Sequence, residues 1–144
     1  MVSMSANTEY IQELNREESL ELLASSSFGR LVVRRTDDID LFPVNYIVNN
    51  GKVYFRTAEG TKLFSVTLNR RVLFEADSVD LDAQTAWSVV IKGEARVLSD
   101  GEAIAAEDFP LKPWLPTQKY NFVEVTPEVV SGRSFQLGEE PDRF

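Results

Sequence analysis

Apolar and polar residues alternate with a period of two along most of this chain, and that rhythm predicts strands. FGRLVVRR (Phe28 to Arg35) is the first such run, with TDD as the turn after it. IDLFPVNYIV (Ile39 to Val48) is a second, interrupted by Pro43, whose missing N–H predicts an opening or bulge in the strand. Asn49 to Gly51 is a hairpin signal, and KVYFRT (Lys52 to Thr57) returns from it. RVLFEADSV and AWSVVIKGEARVL form two more strands around DLDAQ, and KYNFVEVTP and EVVSGRSFQL a final pair. The rhythm changes in three places. Asn15 to Glu18 is a capping box that predicts a helix through about Ser26, with Leu20, Leu22 and Leu23 to bury and a possible extra turn from Thr8. Thr61 to Asn69 suits a short helix, and SDGEAIAAEDF another.

Strands outnumber helices, neighbours are joined by hairpins, and no βαβ alternation occurs. The expected fold class is mainly β, an antiparallel barrel with accessory helices. Without a linker or repeat, residues 1–144 read as a single domain, with mobile ends at about 1–8 and 138–144.

The net charge of −8, from 15 basic and 23 acidic side chains, disfavours nucleic-acid binding. The absence of histidine excludes histidine-based nucleophile systems and histidine metal sites, and there is no cysteine either. Chemistry in such a chain is best carried by a bound cofactor. The start lacks the basic and apolar regions of a secretory signal, and no run suits a membrane span, so a cytoplasmic location is expected.

One segment runs against the acidic background. YFRTAEGTKLF (54–64) gathers Arg56, Thr57, Thr61 and Lys62 around a glycine, at a strand end that leads into a helix start. Arginine can fork onto two phosphate oxygens, lysine adds a point charge, and unpaired N–H groups at a helix start favour an anion. Neither a Walker A loop nor a Gly-x-Gly-x-x-Gly fingerprint is present. The alternative is a solvated turn with Thr61 as a helix cap.

FPVNYIV, GKVYFRTAEGTKL, WSVVIKGEARVL, PW and FVEVTPEVVSGRSF occur in the order seen in the pyridoxamine 5′-phosphate oxidase-like flavoproteins, which the chain resembles from about Asn15 to Gln136. The resemblance implies an FMN-binding split β-barrel, usually a homodimer with two flavins at its interface. It implies that Arg56, Thr57, Thr61 and Lys62 grip the flavin phosphate. It places Val44, Asn45 and Tyr46 along the flavin ring, and Trp87 and Ser88 as contacts from the second subunit. Asn45 could serve the imide edge or face water on an edge strand; Trp87 could neighbour the flavin or anchor the dimer. Tyr46 and Tyr54 also suit the core, and Trp114, with Lys112 beside it, could close a pocket or plug the barrel. Arg133 on the last strand could reach a carboxylate or a ligand, and Glu94 and Arg96 read as a surface pair.

The namesake oxidases bind their substrate with an arginine and a histidine, and this chain has no histidine. Pyridoxamine-phosphate oxidation is therefore not expected, and nitroimidazole-resistance and haem-degrading activities, which lean on histidine, are weakened. An FMN-dependent oxidoreductase with hydride transfer at flavin N5 and an unspecified substrate is the leading expectation. A deazaflavin-dependent reductase, a flavin-binding protein without turnover, and a barrel dimer without cofactor are the alternatives.

Overall fold

The computed structural model describes residues 10–34, 37–57, 70–111 and 121–141. In chain order the elements are β1 (Ile11–Leu14), α1 (Arg16–Ala24), β2 (Phe28–Arg34), β3 (Ile39–Asn45), β4 (Ile47–Asn49), β5 (Lys52–Thr57), β6 (Arg71–Asp80), β7 (Thr85–Val97), α2 (Asp100–Ala106) and β8 (Asn121–Gln136). The strands form one antiparallel sheet in the order β3-β2-β6-β7-β8-β5-β4, with β1 added to β8. It curls into a half-barrel, the split-barrel fold. The segments 58–69 and 112–120, which carry the expected Thr61–Asn69 helix, Lys112 and Trp114, lie outside the described residues.

Local signals act where the sequence places them. Asn15 caps α1, accepting from the Glu18 N–H at 2.8 Å while the Glu18 carboxylate accepts from the Asn15 N–H at 3.0 Å. Ser99 and Glu102 repeat the same box on α2. Asn50 and Gly51, at φ +50° and +75°, make the two-residue turn between β4 and β5, where a left-handed backbone is required at both positions.

Three expectations change. Residues 11–14 are a strand, not an added helical turn, because Ile11 to Leu14 pair with Phe135 to Gly132 of β8. Pro43 neither opens nor bulges β3; it sits in continuous register opposite Arg30. β3 is an edge strand, so the missing N–H interrupts no ladder on its outer side. The break comes instead at Tyr46, whose N–H donates to the Ser27 carbonyl at 2.9 Å and ties β3–β4 back to the start of β2. The last two predicted strands are one, β8, of 16 residues. A bulge absorbs the irregularity near Pro127, where Lys92 opposes Val129 but Gly93 opposes Pro127. A Cβ at Gly93 would run into the Thr126 carbonyl, so the glycine of VIKGEA is required by backbone approach.

Two apolar clusters result. The larger fills the concave side of the sheet with Leu31, Val33, Phe55, Phe74, Val89, Ile91, Val123 and Val125, covered by Leu23 of α1. The smaller lies on the other side of β5 and β8, where Tyr54 and Phe122 meet Ala106 and Leu111 around α2.

Candidate functional site

Arg56 and Thr57 end β5, opposite Phe122 and Asn121 of β8. Successive strand residues point to opposite faces. Arg56 therefore shares the side of Tyr54 and the smaller cluster, and Thr57 the side of Phe55 and the main core. Both are half-buried. The Arg56 guanidinium carbon stands 4.9 Å from the Phe122 ring centroid. Thr61 and Lys62, the other half of the expected anion-binding set, lie outside the described residues.

The same alternation divides the residues expected along a flavin ring. Val44 is half-buried against the main core and Asn45 is on the opposite, convex face. The Tyr46 side chain is 1% exposed. Its hydroxyl donates to the Leu23 carbonyl at 2.6 Å, and its ring meets Phe74 edge-on at 4.9 Å. Burial, the dominant cause, pushes its phenol up to about 12. The core alternative thus describes this side chain, and its N–H is committed to barrel closure.

Trp87 and Ser88 part in the same way. Trp87 packs against the main cluster and lines a cavity of about 320 Å³ with Leu22, Gln12 and Ser134 at the α1 end. Ser88 is on the convex face, between Asp77 of β6 and Arg133 of β8. Asn45 and Ser88 thus share a face but stand three strand spacings apart, roughly 14 Å within one protomer.

The convex face is patterned. Leu41, Val32, Leu73, Lys92 and Val129 form one row across five strands, with a single charge in it. Leu41 and Val129 are more than half exposed, as is Ile39 at the edge. A concavity of about 370 Å³ lies there, bounded by Val32, Ile39, Leu73, Arg34, Arg71 and Lys92. The next row carries Arg30, which bonds Glu75 at 2.6 Å and Asp77 at 3.4 Å. Burial pushes the Glu75 carboxyl up to about 7, with Asp77 adding to the shift and Arg30 opposing it.

Sequence reasoning missed a polar network beneath α2. The buried Glu124 carboxylate accepts from the Tyr54 hydroxyl at 2.8 Å and from Arg96 Nε at 3.0 Å, and Lys52 stands 3.7 Å away. Arg96 also forks onto Glu102 at 2.6 and 2.9 Å, which joins α2 to the sheet. The expected Glu94–Arg96 pair is therefore replaced by Arg96 with Glu102 and Glu124. Glu124 and Phe122 lie in the FVEVTPEVVSGRSF segment but have no role assigned there; the cross-strand register brings them to Tyr54 and Arg56. Among the described residues no cluster of acidic side chains suits a metal, and no helix is long and apolar enough to cross a membrane.

The sequence profile described as pyridoxamine 5′-phosphate oxidase matches residues 15–134. The chain belongs to this pyridoxamine 5′-phosphate oxidase family. A family structure from Corynebacterium glutamicum, provisionally assigned as pyridoxamine 5′-phosphate oxidase, is 51% identical with TM-score 0.83, over 91% of this chain and 97% of that one. The FAD binding protein from Mycobacterium smegmatis is 39% identical with TM-score 0.71, over 87% of this chain and 98% of that one. An uncharacterised Mycobacterium tuberculosis protein is 45% identical over 98 residues, 67% of this chain and 87% of the relative. The family thus includes flavin-binding neighbours, and the expected split-barrel fold is the one they share.

Proposed function

We propose that this protein binds a flavin through its phosphate at the end of β5, and works as an FMN-dependent oxidoreductase. The observation that carries the reading is the 39% identity, over 87% of this chain, to a protein named for binding FAD. The residues fit such a group: Arg56 is a half-buried cation in a chain of net charge −8, at the strand end where Thr57 can add a hydroxyl. A bound flavin supplies hydride transfer at its N5. The chain's own part is to bind and orient it: Arg56 and Thr57, with Thr61 and Lys62, on the phosphate, and Asn45 on the ring.

A homodimer would complete the site, with Asn45 from one protomer and Ser88 from its partner. The apolar row on the convex face supports the same homodimer, since exposed apolar surface of this kind marks association. Trp87, turned toward the core, acts beneath that interface.

The specific alternative to FMN is FAD, because the 39% identical relative is named for FAD. A visible spectrum of the purified protein, with mass spectrometry of whatever denaturation releases, separates the two. A colourless protein that takes up neither FMN nor FAD overturns the reading. Sedimentation at micromolar concentration tests the composite site, and a clean monomer there contradicts it.

A further inference from the structure

Beside the proposed phosphate site stands a buried aromatic ring. Phe122 lies directly opposite Arg56 in the ladder, and the Arg56 guanidinium lies over its ring at 4.9 Å from the centroid. The ring is fixed: it is 3% exposed and packs with Tyr54, Ala106 and Leu111. Its backbone is held from two sides, by β5 and by the Leu98 N–H, which donates to the Phe122 carbonyl at 2.9 Å.

We propose that Phe122 is a positioning residue for flavin binding, whose ring face presents the Arg56 guanidinium to the flavin phosphate. The inference rests on the reading of Arg56 as a phosphate ligand and adds what orients it. An aromatic face attracts a guanidinium and restricts its many rotamers, while the N–H donors, which lie in the guanidinium plane, stay directed outward. Arg96, beneath α2, is committed to Glu102 and Glu124, and Glu124 is held by Tyr54, Arg96 and Lys52.

The test compares FMN with riboflavin, which has the same ring and no phosphate, by calorimetric titration of the full-length protein freed of co-purified flavin. Phe122→Leu is expected to lower FMN affinity about three- to tenfold while riboflavin affinity stays within about twofold. A general packing defect would instead lower both. A fluorinated phenylalanine at position 122, with the same outline but an electron-poor face, keeps the packing and is expected to reproduce the selective loss; it also serves if Phe122→Leu does not fold. In an Arg56→Ala background, neither change at 122 should alter FMN affinity further. Equal losses for both ligands, or an unchanged ratio in both variants, overturn the positioning role while leaving Arg56 in place. An unchanged FMN-to-riboflavin ratio in Arg56→Ala overturns the phosphate reading and this inference with it.

Discussion

The two apolar clusters each hold one buried tyrosine, and the tyrosines are held differently. Tyr46, in the main cluster, sends its hydroxyl to a backbone carbonyl of α1. Tyr54, in the smaller one, sends its hydroxyl to the Glu124 carboxylate, which also binds Arg96. Burial is the dominant cause that pushes both phenols up to about 12, and Glu124 adds to the shift at Tyr54. The main cluster is lined by hydrocarbon with the buried Ser19 hydroxyl beside it, whereas the smaller one is bordered by Arg56, Arg96, Lys52 and two glutamates. Ionic side chains are costly beside a core unless paired, so their concentration on one side separates a region that stabilises from a region that can recognise charge.

Substitutions can break or sharpen that contrast. Phe74→Ala, at the centre of the main cluster, is expected to cost about 3–5 kcal/mol in chemical denaturation, because the sheet closes poorly over a missing ring. Arg56→Ala should do the reverse, leaving the denaturation midpoint nearly unchanged and weakening FMN about tenfold or more by titration, as for a charged hydrogen bond worth roughly 1.5–3 kcal/mol. A large stability loss in Arg56→Ala would erase the distinction. Tyr46→Phe should cost about 1–2 kcal/mol, since the Leu23 carbonyl loses its 2.6 Å donor and keeps only the longer bond from the Ser26 N–H at 3.2 Å. Tyr54→Phe should cost less, about 1 kcal/mol, since Glu124 keeps Arg96 and Lys52. Equal costs would mean that Glu124 depends on the tyrosine.

The smallest effect concerns pH and the convex face. Glu75 holds its proton more tightly when folded, at about 7 against an ordinary 4.5, so its contribution is present below 4.5 and lost as pH rises through about 7. Glu102 is lowered to about 2, chiefly by its hydrogen bond to Arg96, so its contribution is present above 4.5 and lost as pH falls through about 2. Glu75→Gln should therefore flatten the fall in stability between pH 5 and 8, a change on the order of 1 kcal/mol, read from denaturation midpoints across that range. An unaltered slope would show that another group titrates there.

Much of the barrel was legible because its signals are short-range. The Asn15–Glu18 capping box, the Asn49–Gly51 turn and the alternating runs specify elements within a few residues of themselves. The candidate site was legible only as a set of residue types. Reading Val44 with Asn45, and Trp87 with Ser88, as contiguous pairs left out that strand geometry sends the members of each pair to opposite faces. Phe122 and Glu124 were missed because each gains meaning from a partner about 70 positions away.

By itself, the sequence determined where helices start, where the hairpin turns, that the architecture is antiparallel, and that no histidine or cysteine chemistry is available. These follow from local hydrogen bonding, side-chain periodicity and composition. Tertiary structure decided that residues 11–14 join the sheet, that Pro43 is harmless on an edge, that β8 runs unbroken between β7 and two other strands, and which side chain faces the core. Those outcomes depend on pairing between distant segments, where a strand's free groups and exposed face acquire partners that no local pattern encodes.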